Sequence, residues 1–265
     1  MFKAITAHSI KSNGPEIVDD LVRDSNEKLG VYRPSAGVLY ASAPHDTEAL
    51  KGILTGLTEA FPGMEIVGGT VVGGFTDDSG FTQEGYWLCL MVSDSVTLTA
   101  GCLPNISSVI QSNDFTEAFR ASLAKDPGYQ DAQACLFFSP YNHFDGEKFI
   151  DHVQEVLPEN CLVFGGMAAD YWDEQNLANF SKITPPAEKS LLFFAKDGVI
   201  HLEDDTVVYL LFQGEIEVQS GVSYGWSDVG MLFPACGNEF TLTEIDGKNP
   251  HTFLQEFQHP LVLEE

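Results

Sequence analysis

The alternation of apolar and polar positions resolves the first hundred residues into strands and helices in turn. FKAITAH, residues 2–8, alternates as a strand does. Pro15 stands at the start of a helix in which Ile17, Val18, Leu21, Val22 and Leu29 keep helical spacing. A short strand, GVLYAS, follows. Asp46 is placed to cap a second helix whose stripe is Leu50, Ile53, Leu54, Leu57 and Phe61, stopped by Pro62 and Gly63. The strand MEIVGG comes next, and after a loop YWLCLMV and SVTLTAG read as a hairpin turning at Ser93, Asp94 and Ser95.

The same order then begins again. DFTEAFRASL carries a helix, ACLFFS a strand, and DGEKFIDHVQEVLP a helix with Asp145 as its cap and Phe149, Ile150, Val153 and Leu157 as its stripe. LVFGG repeats EIVGG, and TVVYLLF with EIEVQSG repeats the hairpin. Landmarks recur at nearly constant offset: Pro44 with Pro140, Phe61-Pro62 with Leu157-Pro158, Gly68-Gly69 with Gly165-Gly166. The pattern predicts an α/β chain of mixed α+β type, internally duplicated, in which strand-helix-strand-helix-strand-hairpin units form mixed sheets flanked by helices. The two copies are expected at about 1–101 and 102–232, with an extra segment around NLANFSKITPPAEKS in the second.

Charge narrows the partners. Thirteen Lys plus Arg against 39 Asp plus Glu leave a formal net charge of -26, so nucleic acid and acidic membranes are not expected partners. Five cysteines, Cys89, Cys102, Cys135, Cys161 and Cys236, are widely spaced without a C-x-x-C pair, which suits reduced thiols. The N-terminal stretch has neither the apolar core nor the cleavage site of a signal peptide, and no apolar run is long enough to span a bilayer. A cytoplasmic protein is the expectation.

Candidate chemistry centres on IVGGTVVGGF, residues 66–75. Gly68 to Gly73 has the gap of a phosphate-binding P-loop, but Gly74-Phe75 stands where Lys and Ser or Thr are required, and the dinucleotide fingerprint fails as well. Paired glycines also serve where strands cross closely. GVSYG, residues 221–225, has the G-x-S-x-G pattern of a nucleophile elbow with Asp246 and His251 downstream, yet no helix pattern follows Ser223. His143, Asp145, Glu147 and His152 crowd one helix start; helix capping and solvated acids account for them, and no metal site is assigned. Aromatic rings beside the glycine turns, Phe164, Tyr171, Trp172, Tyr224 and Trp226, have the make-up of a small-molecule pocket.

Three stretches in order resemble the N-terminal domain of FIST proteins. Gly68-Gly69-Thr70-Val71-Val72-Gly73-Gly74 is similar to the family's first motif, a strand ending in a small-residue run, although Phe75 stands where the family usually carries an acidic residue. Phe164-Gly165-Gly166-Met167-Ala168-Ala169-Asp170 is similar to the second, and Gly221-Val222-Ser223-Tyr224-Gly225-Trp226 with Gly230 to the third. The resemblance implies a sensor domain over residues 1–232, and residues 233–265, with their E-x-D-G turn, read as the start of a C-terminal module or a tail. It implies a non-enzymatic sensory domain of a signal transduction protein that binds a small ligand such as an amino acid. The expected ligand contacts are backbone N–H groups of Gly68, Gly69, Gly165 and Gly166, polar groups of Thr70, Asp170 and Ser223, and apolar walls from Met167, Tyr224 and Trp226. No cofactor is predicted. The family's hemoprotein members, which sense nitric oxide and regulate a partner kinase, make heme the alternative, and a serine hydrolase using Ser223 is a third reading.

Overall fold

Strands that are apolar on both faces need cover on both sides, and this chain supplies it by stacking two sheets between two helical layers. The computed structural model describes residues 1–42, 46–111, 115–126, 128–140, 146–169, 190–221, 232–238 and 241–257. These fall into two compact units, Met1–Gln219 and Ser220–Glu265.

In the larger unit the chain begins β1 (Phe2–Ser9), α1 (Gly14–Leu29), β2 (Ala36–Ser42), α2 (Thr47–Ala60) and β3 (Glu65–Val71). A small hairpin follows, β4 (Gly74–Thr76) with β5 (Gly80–Thr82), then β6 (Tyr86–Ser93) and β7 (Val96–Pro104). The second run is α3 (Ile106–Gln111), α4 (Phe115–Leu123), β8 (Ala132–Ser139), α5 (Gly146–Val156), β9 (Leu162–Met167), β10 (Leu192–Lys196), β11 (Val199–Glu203) and β12 (Thr206–Gly214). One sheet has the order β1-β6-β2-β3-β10-β11 and the other β7-β12-β8-β9. Four strands therefore take the same order in both sheets, each ending in a parallel pair, β2 with β3 and β8 with β9.

Strand alternation sorts the side chains into three cores. On β2, Leu39 and Ala41 join Ile17, Leu21, Leu50, Ile53 and Leu54 under α1 and α2, while Ala36 and Val38 face the second sheet. On β12, Val208, Leu210 and Phe212 face the first sheet, while Val207, Tyr209 and Leu211 pack with Phe115, Phe119 and Phe149 of α4 and α5. Local signals hold where sequence placed them: Pro15 lies in the first turn of α1, and the Asp46 carboxylate accepts the Glu48 N–H at 2.9 Å.

Two expectations need correction, and one pairing was not expected. YWLCLMV and SVTLTAG are consecutive strands but not a hairpin, because β6 lies in the first sheet and β7 opens the second. The Ser93 Oγ accepts the N–H groups of Ser95 (3.2 Å) and Val96 (2.8 Å), which turns the chain from one layer into the other. EIEVQSG forms no strand; β12 ends at Gly214 and is instead flanked by β7 and β8. The β10–β11 hairpin was not anticipated, although Asp197 (φ 51°) and Gly198 (φ 78°) form the Asp-Gly turn that favours such a pairing. This hairpin comes late in the chain yet extends the first sheet by pairing β10 with β3.

Glu65 fastens the sheets at one end of β3. Its carboxylate accepts the Ala100 N–H of β7 at 2.5 Å and the Lys196 ammonium at 2.9 Å.

The smaller unit holds β13 (Ala235–Asn238) antiparallel to β14 (Thr241–Ile245), then α6 (Pro250–Phe257). Phe233 and Phe253 meet edge to face at 4.9 Å, and Asp246 and Gly247 of the E-x-D-G turn take positive φ of 50° and 74°. No helix among the described residues is long and apolar enough to cross a membrane.

Because Phe193 of β10 is fully buried in the core under α1 and α2, the first sheet depends on a strand from the second run of the chain. Phe193→Ala is expected to cost about 3–5 kcal/mol, read as a lower midpoint in urea denaturation.

Candidate functional site

The site begins with two glycines that sit against their parallel neighbours. Gly68 faces Leu39 across β2–β3, and Gly165 faces Phe137 across β8–β9. A Cβ on Gly68 would lie 1.8 Å from the Leu39 carbonyl oxygen, and one on Gly165 1.9 Å from that of Phe137. No side chain fits at either position. These glycines let the parallel strands approach, and the φ of 152° at Gly165 adds a conformation that other residues rarely take.

The next residue in each pair faces the space between the sheets, on the side of Val67 and of Leu136 and Phe138. At Gly69 that space is filled by others: a Cβ there would stand 3.2 Å from Leu192 Cδ2 and 3.4 Å from Ala168 Cβ. At Gly166 it is open, with nothing among the described residues within 4 Å of an added Cβ.

Thr70 then ties the two motifs together. Its hydroxyl donates to the Ala169 carbonyl (2.9 Å) and accepts the Leu191 N–H (3.0 Å). Its own N–H donates to the Leu191 carbonyl, and its carbonyl accepts the Ala169 N–H, both at 2.9 Å. Fully buried, Thr70 has no free donor to offer a ligand, and its part in the site is to hold the strand ends in register.

Between the sheets at this corner lies a cavity of about 600 Å³, within the range of small-molecule sites. Val38, Met91, Leu136, Phe138 and Phe212 make it apolar, and Phe164 leans on Phe212 at 6.1 Å from the rim. Tyr40 and Phe138 occupy matching places, each one residue past the partner of a glycine, and meet edge to face at 5.6 Å. Polar side chains are few. Burial pushes the Tyr40 phenol up to about 12, with Cys89 adding to it, and burial raises the Cys89 thiol, so both walls stay neutral at ordinary pH. A second cavity of about 390 Å³ shares Tyr40, Val71 and Cys89 and runs beneath the β4–β5 hairpin, which Thr82 holds by accepting the Trp87 Nε1–H at 3.1 Å.

Six of the expected site residues are therefore brought to one corner: Gly68, Gly69, Thr70, Gly165, Gly166 and Met167. Met167 stands at the rim, 43% exposed, with its methyl against Gly146. Asp170, Ser223, Tyr224 and Trp226 lie outside the described residues. Sequence reasoning missed Tyr40, Cys89, Phe138 and Phe212, which supply the aromatic and thiol part of the wall away from the glycine motifs. Aligning GVLYAS with ACLFFS on their glycine partners would have exposed the first and third.

His152 points to Thr116 Oγ1 at 3.0 Å, and no metal-binding group of His, Cys, Asp or Glu exists among the described residues. The described lining has no imidazole, so it offers no histidine to ligate a heme iron. Asp145 and His143 lie outside the described residues. In the smaller unit the His251 ring pairs with Gln255 at 2.9 Å rather than with Asp246.

The larger unit is thus a four-layer α+β sandwich with a glycine-cornered cleft between its sheets. The FIST N domain model matches residues 35–248, most of the chain, and the chain belongs to that family, whose members are generally sensory domains of signal transduction proteins. No curated protein matches the chain.

The glycines differ in what they tolerate. Gly68→Ala and Gly165→Ala are expected to cost about 3 kcal/mol or more through backbone displacement, and Gly166→Ala less than about 1 kcal/mol, measured by equilibrium denaturation. Tyr40 also sets a pH dependence. Since the fold raises its pKa from 10.0 to about 12, its contribution is intact below pH 10 and is lost as pH rises toward 12. Tyr40→Phe is expected to flatten that alkaline loss, read from denaturation midpoints across the same window.

Proposed function

We propose that the inter-sheet cleft binds a small metabolite and that the chain acts as a non-enzymatic, cytoplasmic sensory domain, an amino acid or a molecule derived from one being the ligand class. The observation that carries this reading is the single corner at which both glycine motifs meet, hydrogen-bonded through Thr70 and Ala169, beside a cavity that Gly166 leaves open. The family's sensory character supports it.

Signalling follows from the geometry of the stack. A ligand wedged between the sheets favours one spacing of their open corner over another, and only that difference in affinity can be passed on. A partner protein, a kinase among the candidates, would read the change, with residues 233–265 as the start of a C-terminal module or a tail. Asp170, Ser223, Tyr224 and Trp226 remain proposed contacts.

The test is a thermal-shift screen of amino acids and their derivatives against the full chain and Gly166→Leu. A ligand present at a hundred times its Kd is expected to stabilise the chain by about 2.7 kcal/mol and to have no effect on Gly166→Leu. A response that survives Gly166→Leu would place the ligand elsewhere, and silence across the screen would remove the sensor reading.

A further inference from the structure

The corner holds an internal comparison that narrows the ligand class. Along a parallel pair, alternate residues turn their main-chain groups toward the neighbour and away from it. On β3, Glu65 donates to the Ser35 carbonyl, so Ile66, Gly68 and Thr70 turn outward. There β10 receives them, with Ala195 opposite Ile66 and Phe193 opposite Gly68. On β9, Ala168 donates to the Ser139 carbonyl, so Val163, Gly165 and Met167 turn outward in the same way. Among the described residues no strand pairs with that edge, where β9 ends its sheet, and no backbone group bonds to the outward N–H or carbonyl of Gly165 or Met167.

This edge borders the cleft. Gly165 and Gly166 line the cavity and have only main chain with which to do so. Both are exposed, as is Phe164 at 37%. On β3 the equivalent donors are buried behind β10, whose Leu192 and Phe194 fill the inter-sheet space beside them. On β9 the matching place is the cavity.

Charge decides against a free amino acid. None of the described lining residues is charged, and Thr70 has spent its hydroxyl. A carboxylate or ammonium placed there would lose its hydration with no opposite charge to replace it. A residue flanked by amides on both sides loses far less, because its N–H and its carbonyl can be exchanged for those of Gly165.

We propose that the cleft takes an uncharged, peptide-type ligand: a residue with an amide on each side and apolar substituents that pairs with the open edge of β9 at Gly165, as Phe193 pairs with Gly68, and places its apolar groups against Phe138 and Phe212. This rests on the small-ligand reading of the same cleft and goes beyond it in naming the head group and how it is held.

The probe is N-acetyl-leucyl-phenylalanine amide, compared with its analogue methylated on every amide nitrogen and with free leucine and phenylalanine, by calorimetry on the full chain. Methylation removes donors, and the analogue is expected to bind at least about tenfold more weakly. Hydrogen exchange should show the Gly165 and Met167 amides protected by the parent probe alone, and Gly166→Leu should abolish its binding. Gly166→Ser, with a smaller side chain, serves if the leucine variant does not fold. Equal binding of the methylated analogue, or free amino acids binding as tightly through a Gly166-dependent site, would overturn the amide proposal and leave the cleft reading standing. No binding by any probe would overturn both.

Discussion

Two sheets stacked face to face stay in one arrangement only if something other than apolar contact fixes their offset, since hydrophobic burial has no preferred direction. Here two hydrogen bonds between Thr70 and Ala169 join the sheets at the end of β3, and two more hold Thr70 to Leu191 beside it. Glu65, five residues earlier on the same strand, makes the matching attachment to Ala100 and Lys196. One strand is thus pinned at both ends, and the cleft lies beside one of the pins. Burial makes these bonds matter, because a donor or acceptor freed at a fully buried position costs its whole desolvation penalty.

The glycine pairs divide two tasks between neighbouring residues. Gly68 and Gly165 permit the parallel strands to approach and have no freedom to change, whereas Gly69 and Gly166 face the space between the sheets and differ in what occupies it. Ala168 and Leu192 fill the space at Gly69. At Gly166 nothing does. The inserted hairpin β10–β11 accounts for the difference, since it covers the outer edge of β3 and leaves that of β9 uncovered. An arrangement with the same four-strand order in both sheets therefore has one closed corner and one open one.

Much of this was legible before any coordinates. The stripes of α1 and α2, that of α5 apart from the exposed Ile150, the cap at Asp46 and the paired glycines follow from periodicity and side-chain chemistry acting over a few residues. What sequence misplaced depended on partners far along the chain. A tight turn at Ser93–Val96 looks the same whether the next strand pairs with its predecessor or crosses to another layer, and only the pairing of β7 with β12, far along the chain, decides it. The site shows the same division. Gly68, Gly69, Gly165 and Gly166 were visible because glycine is rare inside strands, while Tyr40, Phe138 and Phe212 were hidden because an aromatic in an apolar strand reads as ordinary core. Their role depends on a neighbouring side chain that is missing.

That absence also explains how a cleft with so few polar side chains can be selective. The specificity of an apolar pocket rests on the few directed groups it keeps unpaired. In this cleft the Tyr40 hydroxyl has no recorded hydrogen-bond partner among the described residues, the Cys89 thiol is a weak donor, and the remaining directed groups belong to the main chain of β9. Main-chain donors on a strand are fixed in spacing and direction by the ladder on their other side, so they cost no side-chain entropy to aim. A change in how that edge is satisfied alters a sheet boundary next to the bonds through which Ala169 holds the first sheet. Ligand binding and sheet offset are coupled there by adjacency along the chain: Gly165 lies four residues before Ala169, whose N–H and carbonyl both end on Thr70.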